Sequence, residues 1–132
     1  MKQDQNWLAE MESRRRDDEP SPGQEMAALM RRTDEVLKRL SPEDGAELRE
    51  LSAGWRELVL AGYALSCGYA PHTADGVGEL LTAAPEGAAW RAENLRLTRA
   101  AEALADTVPE ALPLSDRWDD LCALALVLGQ RR

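Results

Sequence analysis

Cys67 and His72 lie four residues apart in the loop CGYAPHTADG, and His72 is the sole histidine of the chain. A thiolate nucleophile needs a base within hydrogen-bond reach and a third group to orient that base. Asp75 would be the orienting group, so a small enzyme built on a Cys67/His72 loop is one reading. The opposing reading is structural: Cys67 packs under a helix end and His72 is a surface loop residue. The spacing matches no catalytic motif, and we expect no enzyme.

Other chemistry is more thinly supported. A zinc site takes three or four ligands, commonly His and Cys, and the chain offers one His and two cysteines far apart, Cys67 and Cys122. Di-metal helical bundles use Glu-x-x-His pairs, and none occurs. DGVGELL places two glycines before a helix, but lacks the lysine and preceding strand of a phosphate-binding loop. The expectation is therefore no metal and no cofactor.

Two features suit recognition of a protein. Glu43, Glu47, Glu50 and Glu57 recur at steps of four, three and seven, which aligns them on one helix face, with Arg49 and Arg56 running beside them. With Asp116, Asp119 and Asp120 they suggest an acidic surface. Such a face is either simply solvated, or docks a partner with a basic surface, or imitates DNA phosphates to inhibit a nucleic-acid-binding protein. A mimic would carry denser, less neutralised charge. The second feature is Trp7, Leu8 and Met11 on one face of a short N-terminal helix. An exposed Trp beside two apolar residues is a good hot spot. It hooks a partner or a second copy in a homodimer, or else folds back onto its own bundle. The leading expectation is a non-enzymatic protein-binding module, such as an adaptor, inhibitor or chaperone-like protein, acting through this arm or the acidic face.

The elements that position these residues read as helices. Ala, Glu, Lys, Leu and Arg make up about half the chain, a share typical of helical bundles, while Phe and Ile are absent, which disfavours a large sheet. The spacing predicts a short helix over about 4–18, and acids at its C-terminal end oppose the macrodipole, so the arm is expected to fray. EPSPG then reads as a linker. A helix over about 22–40 presents Met26, Met30, Thr33, Leu37 and Leu40, widened by Leu29 and Val36. Ser41-Pro42-Glu43-Asp44 is a strong helix start, and the next helix carries Leu48, Leu51, Trp55, Leu58, Gly62 and Leu65 inward, ending in a left-handed cap at Gly68. Gly62 would admit a close neighbour, whereas Gly54 falls among the outward glutamates. A short helix is expected over about 75–84, ended by Pro85. Another follows over about 86–107 with Trp90, Leu97, Ala101, Leu104 and Val108 inward. The last opens with Ser115-Asp116 as its cap, carries Trp118 and the all-apolar run Leu121 to Leu128, and ends at Gly129.

The expected fold is thus all-α: one domain, a compact bundle of five or six helices over 24–132, with an N-terminal arm and linker over 1–23. The net charge of −8 disfavours direct nucleic-acid or anionic-membrane binding, and no basic recognition helix is present. The longest apolar run is too short to span a bilayer, there is no apolar signal core, and two distant thiols suit a reducing compartment. The cytoplasm is the expected location.

Overall fold

The structure, a computed structural model, describes residues 2–68, 81–82 and 85–131, with side chains from residue 7 onward. The described residues contain no strand and form five helices: α1 (Lys2–Arg14), α2 (Pro22–Leu37), α3 (Pro42–Cys67), α4 (Pro85–Leu104) and α5 (Ala111–Gln130). Leu81 and Thr82 are helical. The rest of the helix expected over 75–84, with His72 and Asp75, lies outside the described residues.

The centre is α3, which packs most extensively on α5 and next on α4. Its start is built as its residues require: Ser41 is extended, its hydroxyl accepts from the Asp44 N–H at 3.2 Å, and Pro42 occupies the first helical turn. Ser21-Pro22 repeats the device for α2, with the Ser21 hydroxyl accepting from the Gln24 N–H at 3.2 Å. One apolar cluster then runs through all five helices. At its middle the buried indoles of Trp55 and Trp118 stack 6.2 Å apart, 18° from parallel. Their offset contact adds to area burial, the dominant stabilising term.

Several local expectations are corrected. Gly68 is right-handed, with φ −81° and ψ −7°, and its N–H reaches the Ala64 and Ser66 carbonyls. The bond to Ala64 continues the ordinary four-residue ladder by one step, so no left-handed residue is needed. The end of the helix expected before Pro85 lies outside the described residues; Pro85 itself opens α4, where a residue in the first turn has no intrahelical N–H partner to lose. The same reason lets α5 start at Ala111 and carry Pro113 in its first turn, with Ser115 buried instead of capping. The inward face of α2 is centred on Met26, Leu29, Thr33 and Val36, leaving Met30 exposed. In α5 the exposed polar residues, Asp116, Arg117, Asp119 and Asp120, precede the apolar run Leu121 to Leu128, whose exposed positions are Ala123 and Val127.

Glycines set the closest approaches. A Cβ at Gly62 would sit 3.0 Å from Trp90 Nε1, and one at Gly54 would sit 2.9 Å from Leu97 Cδ2. Gly54 therefore faces α4 and is not merely an outward residue among glutamates. These two contacts also show that α3 and α4 run antiparallel. Gly129 lies inside α5, not beyond it, and is a glycine because a Cβ there would overlap the Ser66 hydroxyl and come within 2.9 Å of the Tyr63 carbonyl oxygen.

Candidate functional site

The residues of the two expected binding features fall on different sides of α3. Helix α1 lies against α2, α3 and α5. Met11 has no exposed surface, and Trp7 and Leu8 are half-buried against the core. The Trp7 ring meets Tyr63 edge-on, 5.5 Å between centroids. Arg14, at the C-terminal end of α1, turns inward. Its guanidinium lies 5.4 Å from the Tyr63 ring centroid and donates to Cys67 Sγ and to the Gly129 carbonyl, each at 3.2 Å. The segment after α1 is tied down as well. Glu19 forms a two-pronged ion pair with Arg131, one arm 2.7 Å long, and accepts the Arg16 N–H at 2.7 Å. Hydrogen bonds from Arg131, then from the Arg16 backbone, hold the Glu19 carboxyl at about 2, well below the usual carboxylate range.

Cys67 is half-buried, and its Sγ accepts from the Arg14 guanidinium and neighbours the Tyr63 hydroxyl. The Tyr63 hydroxyl is enclosed with no hydrogen-bond partner among the described residues. Burial, reinforced by the neighbouring Cys67, raises its pKa. Cys122 is buried, and burial with the nearby Asp119 pushes its thiol up to about 12. No group of three or more His, Cys, Asp or Glu among the described residues could hold a metal, and no described helix is long and apolar enough to cross a membrane.

Glu43, Glu47, Glu50 and Glu57 are all exposed along α3. Glu47, Glu50 and Glu57 border the seam with α4, whereas Arg49 and Arg56 line the flank toward α2, which Glu57 also borders. The seam opens into a furrow. One stretch is lined by Glu47, Glu50, Leu51, Arg96, Leu97 and Ala100. The next has Gly54, Leu58, Ala61, Leu65, Ala89 and Trp90 as an apolar floor, with Glu57 on the α3 rim and Glu86 and Glu93 on the α4 rim. Arg96 is common to both stretches and is the only cation among the described residues lining them. It is bound to Glu93 by paired contacts, including Nε donations of 3.0 and 3.1 Å. Glu47, Glu57 and Glu86 make no ion pair among the described residues.

Sequence reasoning missed Glu86, Glu93 and the furrow itself. The available signal was the seven-residue step from Glu86 to Glu93, which repeats the step from Glu50 to Glu57. Its meaning depends on the antiparallel pairing of two helices about thirty residues apart in the chain. The sequence matches no protein-family model, and comparison with curated proteins and with solved structures finds no match.

Proposed function

We propose that the protein is a non-enzymatic binding module whose acidic α3 face holds a basic segment of a partner protein. The observation that carries this reading is the row of exposed glutamates at 43, 47, 50 and 57 on α3, the last three beside the α4 seam, with Arg49 and Arg56 on the flank toward α2 that only Glu57 of the four also borders. Carboxylates held on a rigid helix steer a cationic partner and fix its register more than they add raw affinity. The N-terminal arm finds less support as the binding element, because Met11 is buried and Arg14 and Glu19 anchor the chain beside it. The negative chain and its two separated thiols fit a cytoplasmic adaptor or inhibitor.

The test compares the wild-type chain with Glu47→Lys/Glu50→Lys/Glu57→Lys, both immobilised and exposed to an extract of the native host. A partner retained by the wild type, eluted by moderate salt and lost with the triple variant at unchanged Tm, is the expected result. Equal retention by both proteins would overturn the reading.

A further inference from the structure

We infer that the α3–α4 furrow is the seat of an amphipathic basic α-helix, laid along the seam with its apolar stripe on the floor and its cations against both rims. This rests on the acidic-face reading above and specifies the shape and pattern of the partner. From Glu47 to Leu65 the furrow follows α3 for about 27 Å at 1.5 Å per residue. That is the length of a helix of about 18 residues.

The floor and rims select the occupant. Ala61 and Ala89 are small and exposed, so a further helix can approach α3 and α4 closely there, as small residues permit at helix seams. Leu58, Leu65 and the edge of Trp90 give the floor its apolar surface. On α3, Glu50 and Glu57 are seven residues apart, and on α4, Glu86 and Glu93 are also seven apart. Seven residues are two helical turns, about 10.5 Å. A helix with Lys or Arg at two-turn intervals on both flanks of an apolar stripe would meet both rims at once. A second copy of this chain is a poorer occupant, because each copy carries a net charge of −8 and like charge opposes close association.

The experiment uses the full chain and three fluorescein-labelled peptides of about 18 residues. One has a Leu/Ala stripe flanked by Lys at two-turn spacing. One has the same composition scrambled, and one has Glu in place of Lys. Anisotropy titrations are made with the wild type, with Ala61→Trp and Ala89→Trp, and with Glu47→Lys/Glu50→Lys/Glu57→Lys. Ala61 and Ala89 are exposed, so filling the furrow there leaves the core intact, and unchanged thermal melts verify this. The patterned peptide is expected to bind at least about tenfold tighter than the scrambled one, to gain helical circular dichroism, and to lose about tenfold or more with each furrow-filling variant. The Glu peptide is expected not to bind. If the charge-reversal variant abolishes binding while the Trp variants do not, the acidic face stands and the furrow inference falls. Equal binding of patterned and scrambled peptides overturns the furrow in the same way. Sedimentation as a dimer that furrow filling disrupts would assign the furrow to a second copy and also overturn the inference. No binding of any basic peptide overturns both readings.

Discussion

The indole Nε1 of Trp90 donates to the Leu58 carbonyl oxygen at 2.9 Å, over the place where Gly62 has no side chain. The bond tethers α4 to α3 beneath the floor of the furrow and fixes the ring against the α3 backbone. A Cβ at Gly62 would stand 3.0, 3.3 and 3.4 Å from three atoms of that ring.

Gly62→Ala is therefore expected to destabilise the fold by about 1–2 kcal/mol, the cost of overpacking less the helix-propensity gain of Ala over Gly. Gly54→Ala gains the same propensity, and the atom it meets is the flexible end of Leu97. It is expected to fall within about 1 kcal/mol of the wild type. Urea denaturation followed by circular dichroism measures both. Equal effects would show that Trp90 is free to move.

Met11→Ala is expected to cost about 2–4 kcal/mol, the usual range for emptying a buried Met site, because Met11 is 0% exposed. Leu8→Ala, at a half-buried position, is expected to cost less. Thermal melts decide whether α1 is part of the core. A Tm unchanged by Met11→Ala would mean that α1 does not pack as described.

The Glu19–Arg131 pair has a pH signature. The folded carboxyl is held at about 2, against an ordinary value of 4.5, first by the Arg131 hydrogen bonds and then by the Arg16 backbone. A carboxyl depressed in the folded state contributes stability that is complete above its unfolded value and fades as pH falls toward its folded one. Glu19→Gln is expected to lower Tm at pH 7, with the difference from wild type shrinking from about pH 4.5 down to about pH 2. A difference independent of pH across that window would contradict the pair.

The two thiols are expected to react unequally. Cys122 is 1% exposed, and burial followed by the Asp119 charge pushes it up to about 12, so little thiolate forms at neutral pH. Iodoacetamide under native conditions should label Cys67 and spare Cys122 until denaturant is added, as read by peptide mass spectrometry. Rapid native labelling of Cys122 would overturn its placement in the core. Adding the carbamidomethyl group to Cys67 should also disturb the Arg14 contact and lower Tm.

Much of the architecture was legible because helix signals are local. Ser41-Pro42 marks a start, and the three-and-four spacing of Leu48, Leu51, Trp55 and Leu58 marks a face. The four glutamates were legible for the same reason, since alignment on one helix needs only the period of that helix. Helix ends were less so. Pro113 reads as a connector until a first turn with no N–H partner absorbs it, and Gly129 reads as a terminator until Ser66 is found against it.

By itself, the sequence determined that the chain is helical, where α3 begins, and that its carboxylates share a side. Tertiary structure alone decided what lies opposite each face. It put Gly54 under Leu97, buried Met11, turned Arg14 onto Tyr63, and set Glu86 and Glu93 across from Glu57 to make two rims of one furrow. The physical reason is range. A helical period is set by hydrogen bonds four residues apart. A seam is set by packing between segments tens of residues apart, which periodicity within either helix does not encode.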